Sequence, residues 1–89
     1  TAHRPRSATL IGQVTHYFTH LGVAALQLEE PIRQGDRIQV VGHSTNLEQE
    51  VESMEIDRKR VDIAYAGDDV AIKVNGRTRP GDAVYRKSS

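Results

Sequence analysis

Three Gly-Asp pairs punctuate the chain: Gly35-Asp36 in QGDRIQV, Gly67-Asp68 in AGDDVAI and Gly81-Asp82 in PGDAVY. With the neighbouring Asp69 they supply four aspartates, the residue type used for hard-metal ligation or for a catalytic carboxylate pair. Their arrangement opposes that chemistry. Asp68 and Asp69 are adjacent, so in a strand they face opposite sides and cannot chelate one ion together. No DxDxDG loop or HExxH spacing accompanies them. Each pair instead comes after a polar or Pro-containing link and precedes an apolar-alternating run. Glycine there supplies the positive φ of a tight turn, and aspartate accepts from backbone N–H groups left free at the strand start. One structural device accounts for all three copies. It predicts a non-enzymatic chain with no catalytic residue, no metal and no cofactor.

The other reactive side chains point the same way. His16, His20 and His43 could gather at one end of the fold, but zinc needs three or four close ligands and no cysteine is available to complete a set. Ser44, Thr45 and Ser53 have no base partner arranged for nucleophilic chemistry. The absence of cysteine also removes disulfides and thiol nucleophiles, which fits a reducing compartment. No apolar run approaches the roughly 20 residues of a membrane span, and no signal peptide is read ahead of the first strand. A cytoplasmic location without membrane partners is expected.

Binding residues are the alternative to catalytic ones. Arg58-Lys59-Arg60 is the single run of three bases, placed between two expected strands where a loop could offer it to phosphate. Arg77, Arg79 and Arg86-Lys87 could extend it, and Tyr17 is the aromatic placed to meet a base or a partner. Twelve basic residues balance twelve acidic ones, so strong non-specific nucleic-acid binding is disfavoured while a local patch is not. Glu48, Glu50 and Glu52 share one parity and read as the strand's acidic solvent face, which would blunt edge-to-edge pairing if that strand lies at an edge.

The elements that must position these residues read as strands throughout the 89-residue chain, one domain by length. Residues 1–8 are expected to be a flexible arm, 9–87 the domain, and 88–89 a frayed end. LIGQVTHYF alternates, with Leu10, Val14 and Phe18 on the core side, and Thr19-His20 form a turn. LGVAALQL reads as a central strand covered on both faces. In DRIQVVGH, Ile38 and Val40 face inward. Asn46 to Asp57 changes phase between Leu47/Val51 and Met54/Ile56, which predicts a β-bulge near Glu52–Ser53; a helix competes there. RVDIAY turns Val61, Ile63 and Tyr65 to one side, and DVAIKV turns Val70, Ile72 and Val74. Asn75-Gly76 is the strongest hairpin signal, and AVYR closes the sheet. Seven short β segments with glycine turns predict an all-β closed barrel or compact sandwich.

In order, Gly12–Val14, Gly35-Asp36, Val51–Met54, Ala64–Ile72 and Gly81–Val84 resemble the second domain of translational GTPases of the elongation factor Tu and initiation factor 2 type. The resemblance runs from Leu10 to Arg86. It implies a single six- to seven-stranded antiparallel Greek-key β-barrel, and a binding module for ribosomal RNA, tRNA or a translation-related protein. No GxxxxGK[ST] loop is present, so GTP binding by this chain is not implied. The family's aminoacyl-end contacts map to Val51, Glu52 and Glu55 and to Ala66, Gly67 and Asp69. Glu52 matches, whereas Glu55 replaces Arg and Asp69 replaces Asn, two negative charges that repel an RNA end. An accessory barrel that positions or completes a separate enzyme is the second expectation.

Overall fold

A computed structural model describes residues 8–87. The arm and frayed end expected from sequence lie outside that range, save Ala8, which opens the first strand and is buried. Ten strands run in order: β1 (Ala8–Phe18), β2 (Val23–Leu28), β3 (Ile32–Arg33), β4 (Arg37–Val41), β5 (Asn46–Glu50), β6 (Met54–Ile56), β7 (Lys59–Val61), β8 (Ile63–Ala64), β9 (Asp69–Lys73) and β10 (Ala83–Lys87). All pairings are antiparallel. Asn46 to Asp57 is extended, not helical, and among the described residues no helix is long and apolar enough to cross a membrane.

Eight strands form one sheet in the order β5-β4-β10-β1-β2-β9-β6-β7, and β3 pairs with β8 separately. The expected closed barrel of six or seven strands is therefore corrected: the outer strands β5 and β7 do not pair, and the sheet curls without closing its ladder. A side chain bridges part of the gap. Gln49 of β5 donates to the Lys73 carbonyl at 2.8 Å and accepts from the Asn75 N–H at 2.7 Å. The curl wraps one apolar core built from Ile11, Val14, Leu26, Ile32, Ile38, Val40, Val51, Met54, Val70, Ile72 and Val84, among others.

Two irregularities in β1 decide which of its side chains reach that core. Its register shifts between Leu10 and Gly12 against β10, and between Val14 and His16 against β2. Each extra residue flips the parity of the side chains beyond it. Ile11 and Val14 are consequently buried, whereas Leu10 and Phe18, expected inside, are 40% and 41% exposed. Tyr17, expected on the contact surface, packs against the core from a half-buried position. β2 is central in order but covered on one face only, since Ala24, Leu26 and Leu28 are buried while Gln27 is exposed. Tyr65, expected inside, is 57% exposed just beyond β8.

The phase change in Asn46–Asp57 is a break rather than a bulge. β5 pairs with β4, and β6 pairs with β9 and β7. Val51 and Met54 both return to the core, as the pattern requires, from opposite sides of the break. Asn75-Gly76 makes no hairpin: the chain leaves β9 for β10, which lies between β4 and β1 instead of closing the sheet. The hairpin with positive φ at both central residues is Asp57-Arg58 (51° and 66°), joining β6 to β7 in the geometry that right-twisted strands favour.

On the edge strand, Glu48 takes Arg37 Nε at 2.9 Å and Lys87 Nζ at 3.1 Å. The hydrogen bond from Arg37, then that from Lys87, holds its pKa below the ordinary 4.5. A folded pKa below the unfolded one contributes stability above the unfolded value, and that contribution is lost as pH falls through the folded one. Thermal melts at low salt over about pH 6 to 3 should therefore show a small acid-limb loss that Glu48→Gln removes.

Candidate functional site

The three Gly-Asp pairs build three copies of one turn. In Arg33–Asp36, Tyr65–Asp68 and Arg79–Asp82 the fourth residue's N–H donates to the first residue's carbonyl at 3.1, 3.0 and 3.1 Å. The glycine, third in each, has φ of 94°, 92° and 93°, which makes a type II turn. Each aspartate Oδ2 then accepts from the first residue's N–H at 2.9, 2.8 and 2.9 Å. The glycine N–H and aspartate carbonyl of each turn also grip one buried residue across the fold. Val51, Leu28 and Val14 each accept from the glycine N–H, at 2.9, 2.8 and 2.7 Å, and donate to the aspartate carbonyl, at 2.8, 3.0 and 2.8 Å. These carboxylates do structural work at strand entrances. Among the described residues no cluster of three His, Asp or Glu side chains is placed to hold a metal ion.

Surface features suited to binding concentrate where β1 turns into β2. Leu21 and Gly22 donate backbone N–H groups to the Phe18 carbonyl at 3.2 and 2.9 Å, and Gly22 has φ of 64°. Lys73 Nζ ties the tip to β9 through the Leu21 carbonyl at 3.1 Å. The tip thereby projects Phe18 and Leu21, 41% and 63% exposed, into solvent.

A groove lies on each side. One, of about 550 Å³, is apolar along Phe18, Leu21, Val23 and Ala71, with Ser53, Glu55, Arg58 and Lys73 at its margins. The other, of about 410 Å³, runs between His16, Tyr17 and Thr19 and the β9–β10 crossover at Arg77, Thr78, Arg79 and Pro80. Adjacent residues of an extended strand face opposite ways, so Tyr17 serves the second groove and Phe18 the first. The His16 and Phe18 rings meet at 4.5 Å between centroids.

The residues expected to bind are thus split. Tyr17, Arg77 and Arg79 come together in the polar groove, and Arg58 lines the apolar one. Lys59 and Arg60 are exposed on β7, Glu52 is exposed in the link between β5 and β6, and Asp69 opens β9 opposite Gln27; none of these four lines either groove. Sequence reasoning assigns Phe18 to the core and singles out neither Leu21 nor Thr78, all three of which line these grooves. The position of Phe18 and Leu21 against the Thr19-His20 turn is a usable signal, since tips of hairpins overhang the core. Nothing in the sequence marks Thr78.

No family model matches the chain. It is similar to an uncharacterized protease of Methanocaldococcus jannaschii, 38% identical over 76 residues, which cover 84% of this chain and 19% of that protein. It is also similar to a collagenase of Porphyromonas gingivalis, 34% identical over 85 residues, 93% of this chain and 24% of the collagenase. The chain thus spans about a fifth to a quarter of the length of these curated relatives. Among solved structures, the C-terminal domain of a putative U32 peptidase of Geobacillus thermoleovorans superposes with a TM-score of 0.82 at 26% identity, covering 89% of this chain and 99% of that domain. A second structure of that domain gives a TM-score of 0.84 at 22% identity, covering 99% and 100%. These likenesses overturn the expected kinship with the translational GTPases: the Gly-Asp signals that suggested it are strand-entrance turns, which any fold built on such corners can carry, and Val51–Met54 runs from the link between β5 and β6 into β6. Along nearly its whole length, the chain resembles the C-terminal β domain of a putative U32 peptidase, and not a translation-factor barrel.

Proposed function

We propose that this chain is a non-enzymatic accessory β domain that positions or completes a separate catalytic unit of the protease type. One observation carries the reading. The chain matches nearly all of a solved C-terminal domain but only about a fifth to a quarter of the protease- and collagenase-named relatives. In such proteins most of the length lies outside the part this chain resembles. Two local facts support the proposal: Asp36, Asp68 and Asp82 are spent on turns, and the hairpin tip offers an apolar face.

The occupant of the groove beside Phe18 and Leu21 is the catalytic portion of a protease-type protein, in the same polypeptide or another. Its contact surface would be apolar at the centre and charged at the rim, to meet Glu55, Arg58 and Lys73. Affinity capture from native lysate, with the captured proteins identified by mass, tests this. A protease-type protein as the dominant partner is the expected result; ribosomal material in its place would end the proposal. The double variant Phe18→Ser, Leu21→Ser should abolish that capture. Leu21 is 63% exposed, so its change should shift stability by no more than about 0.5 kcal/mol, whereas Phe18, 41% exposed and against the His16 ring, should lose about 1 kcal/mol, both measured by urea unfolding.

A further inference from the structure

We propose that the polar groove between the end of β1 and the β9–β10 crossover is a binding site for an oxyanion, a carboxylate or phosphate group on a small ligand. The chain as a whole is electrically balanced, yet this groove is not: its lining holds two guanidinium groups, Arg77 and Arg79, and no carboxylate. Neither guanidinium is engaged by an acid among the described residues, where the ion pairs all centre on Glu48. Asp82 is close in sequence but buried, its Oδ2 accepting from the backbone N–H of Arg79. Both arginine forks therefore remain available, and their geometry suits the paired oxygens of a carboxylate or phosphate.

The opposite wall adds donors, the Tyr17 and Thr19 hydroxyls. Thr78, also in the lining, is 1% exposed, and its Oγ1 meets no hydrogen-bond partner. An orphaned buried hydroxyl destabilises a fold, and at a binding groove it is a group with capacity to spare. The backbone that carries the arginines is also held in advance. Their segment is tied at one end by the Asn75 N–H to Gln49 Oε1 at 2.7 Å, and at the other by the Gly81 N–H to the Val14 carbonyl at 2.7 Å. Little ordering of the backbone is then required on binding.

The site shares no lining residue with the docking groove at Phe18 and Leu21 and can be tested on the chain itself, which holds an apolar core among the described residues. Amide chemical shifts should be followed by NMR at low ionic strength during titration with inorganic phosphate, N-acetylglycine and, as the uncharged control, N-acetylglycinamide. Saturable shifts at Tyr17, Arg77, Thr78 and Arg79 are expected with the anions alone, at a dissociation constant on the order of a millimolar. The tighter of the two anions identifies the source chemistry. Arg77→Gln and Arg79→Gln should each weaken binding about tenfold, the effect of losing one charge-assisted contact. Thr78→Val, which keeps the volume, should raise the melting temperature while weakening binding. Unsaturable shifts spread over Arg33, Arg37 and Lys59, or binding unchanged in both arginine variants, would overturn the site.

Discussion

Gly12→Ala should cost this domain about 3 kcal/mol or more, enough to leave it marginal if its total lies in the ordinary range. A Cβ at position 12 would stand 2.3 Å from the Gln27 carbonyl oxygen and 3.2 Å from the Leu28 Cα. Both are backbone atoms of β2, and that strand is paired on its two sides with β1 and β9. No side-chain rotation relieves the clash; the central strands must part. Gly12 also lies just past the first register shift of β1, so the same movement would disturb the placement of Ile11. The comparison is Gly35→Ala. Nothing lies within 4 Å of a Cβ there, and the penalty is backbone strain alone at φ 94°, about 1–2 kcal/mol. Urea unfolding at constant m-value would measure both, and a Gly12→Ala loss no larger than that of Gly35→Ala would refute the close approach of β1 and β2.

Gly42→Ala should be nearly as damaging, but only while Asp82 is present. A Cβ at position 42 would lie 1.8 Å from Asp82 Oδ1 and 2.5 Å from its Cγ. The Asp82 carboxylate is buried and cannot swing aside without losing the Arg79 N–H it accepts. Alone, Asp82→Ala should cost about 2 kcal/mol, as expected for a buried hydrogen bond to a charged acceptor. Asp36→Ala, in the more exposed copy of the same turn, should cost about 1 kcal/mol. In the double variant the second methyl occupies space the carboxylate has left, so the losses should fall well short of adding. The double-mutant cycle reads this directly, and additive losses would mean that the two side chains do not share the space.

These two cases show where sequence and tertiary structure divide the labour. The Gly-Asp pattern announces its own geometry, because a type II turn needs a positive φ at its third residue and the next side chain reaches back three residues. Both requirements are local. The inward faces of β4 and β9 are legible for the same reason, since Ile38 and Val40, and Val70 and Ile72, alternate without interruption. Strand-rich character without helix among the described residues comes from the same alternation.

The consequences of pairing do not show in the pattern. A register shift adds one residue and leaves no mark there, so alternation alone assigns Phe18 and Leu10 to the core and Tyr17 to the surface. Asn75-Gly76 has the residues of a hairpin, but the Gln49 side chain claims the Asn75 N–H and the next strand pairs elsewhere. The sheet's failure to close rests on where β5 and β7 end up, a distance between segments far apart in sequence. The polar groove likewise exists because β1 and the β9–β10 crossover meet. By itself the sequence determined an all-β chain with turn-bound aspartates, because hydrogen bonds and alternation act over two to four residues. Only the tertiary structure decided which faces stay open and which arginines converge, because strand register is chosen by the partner strand.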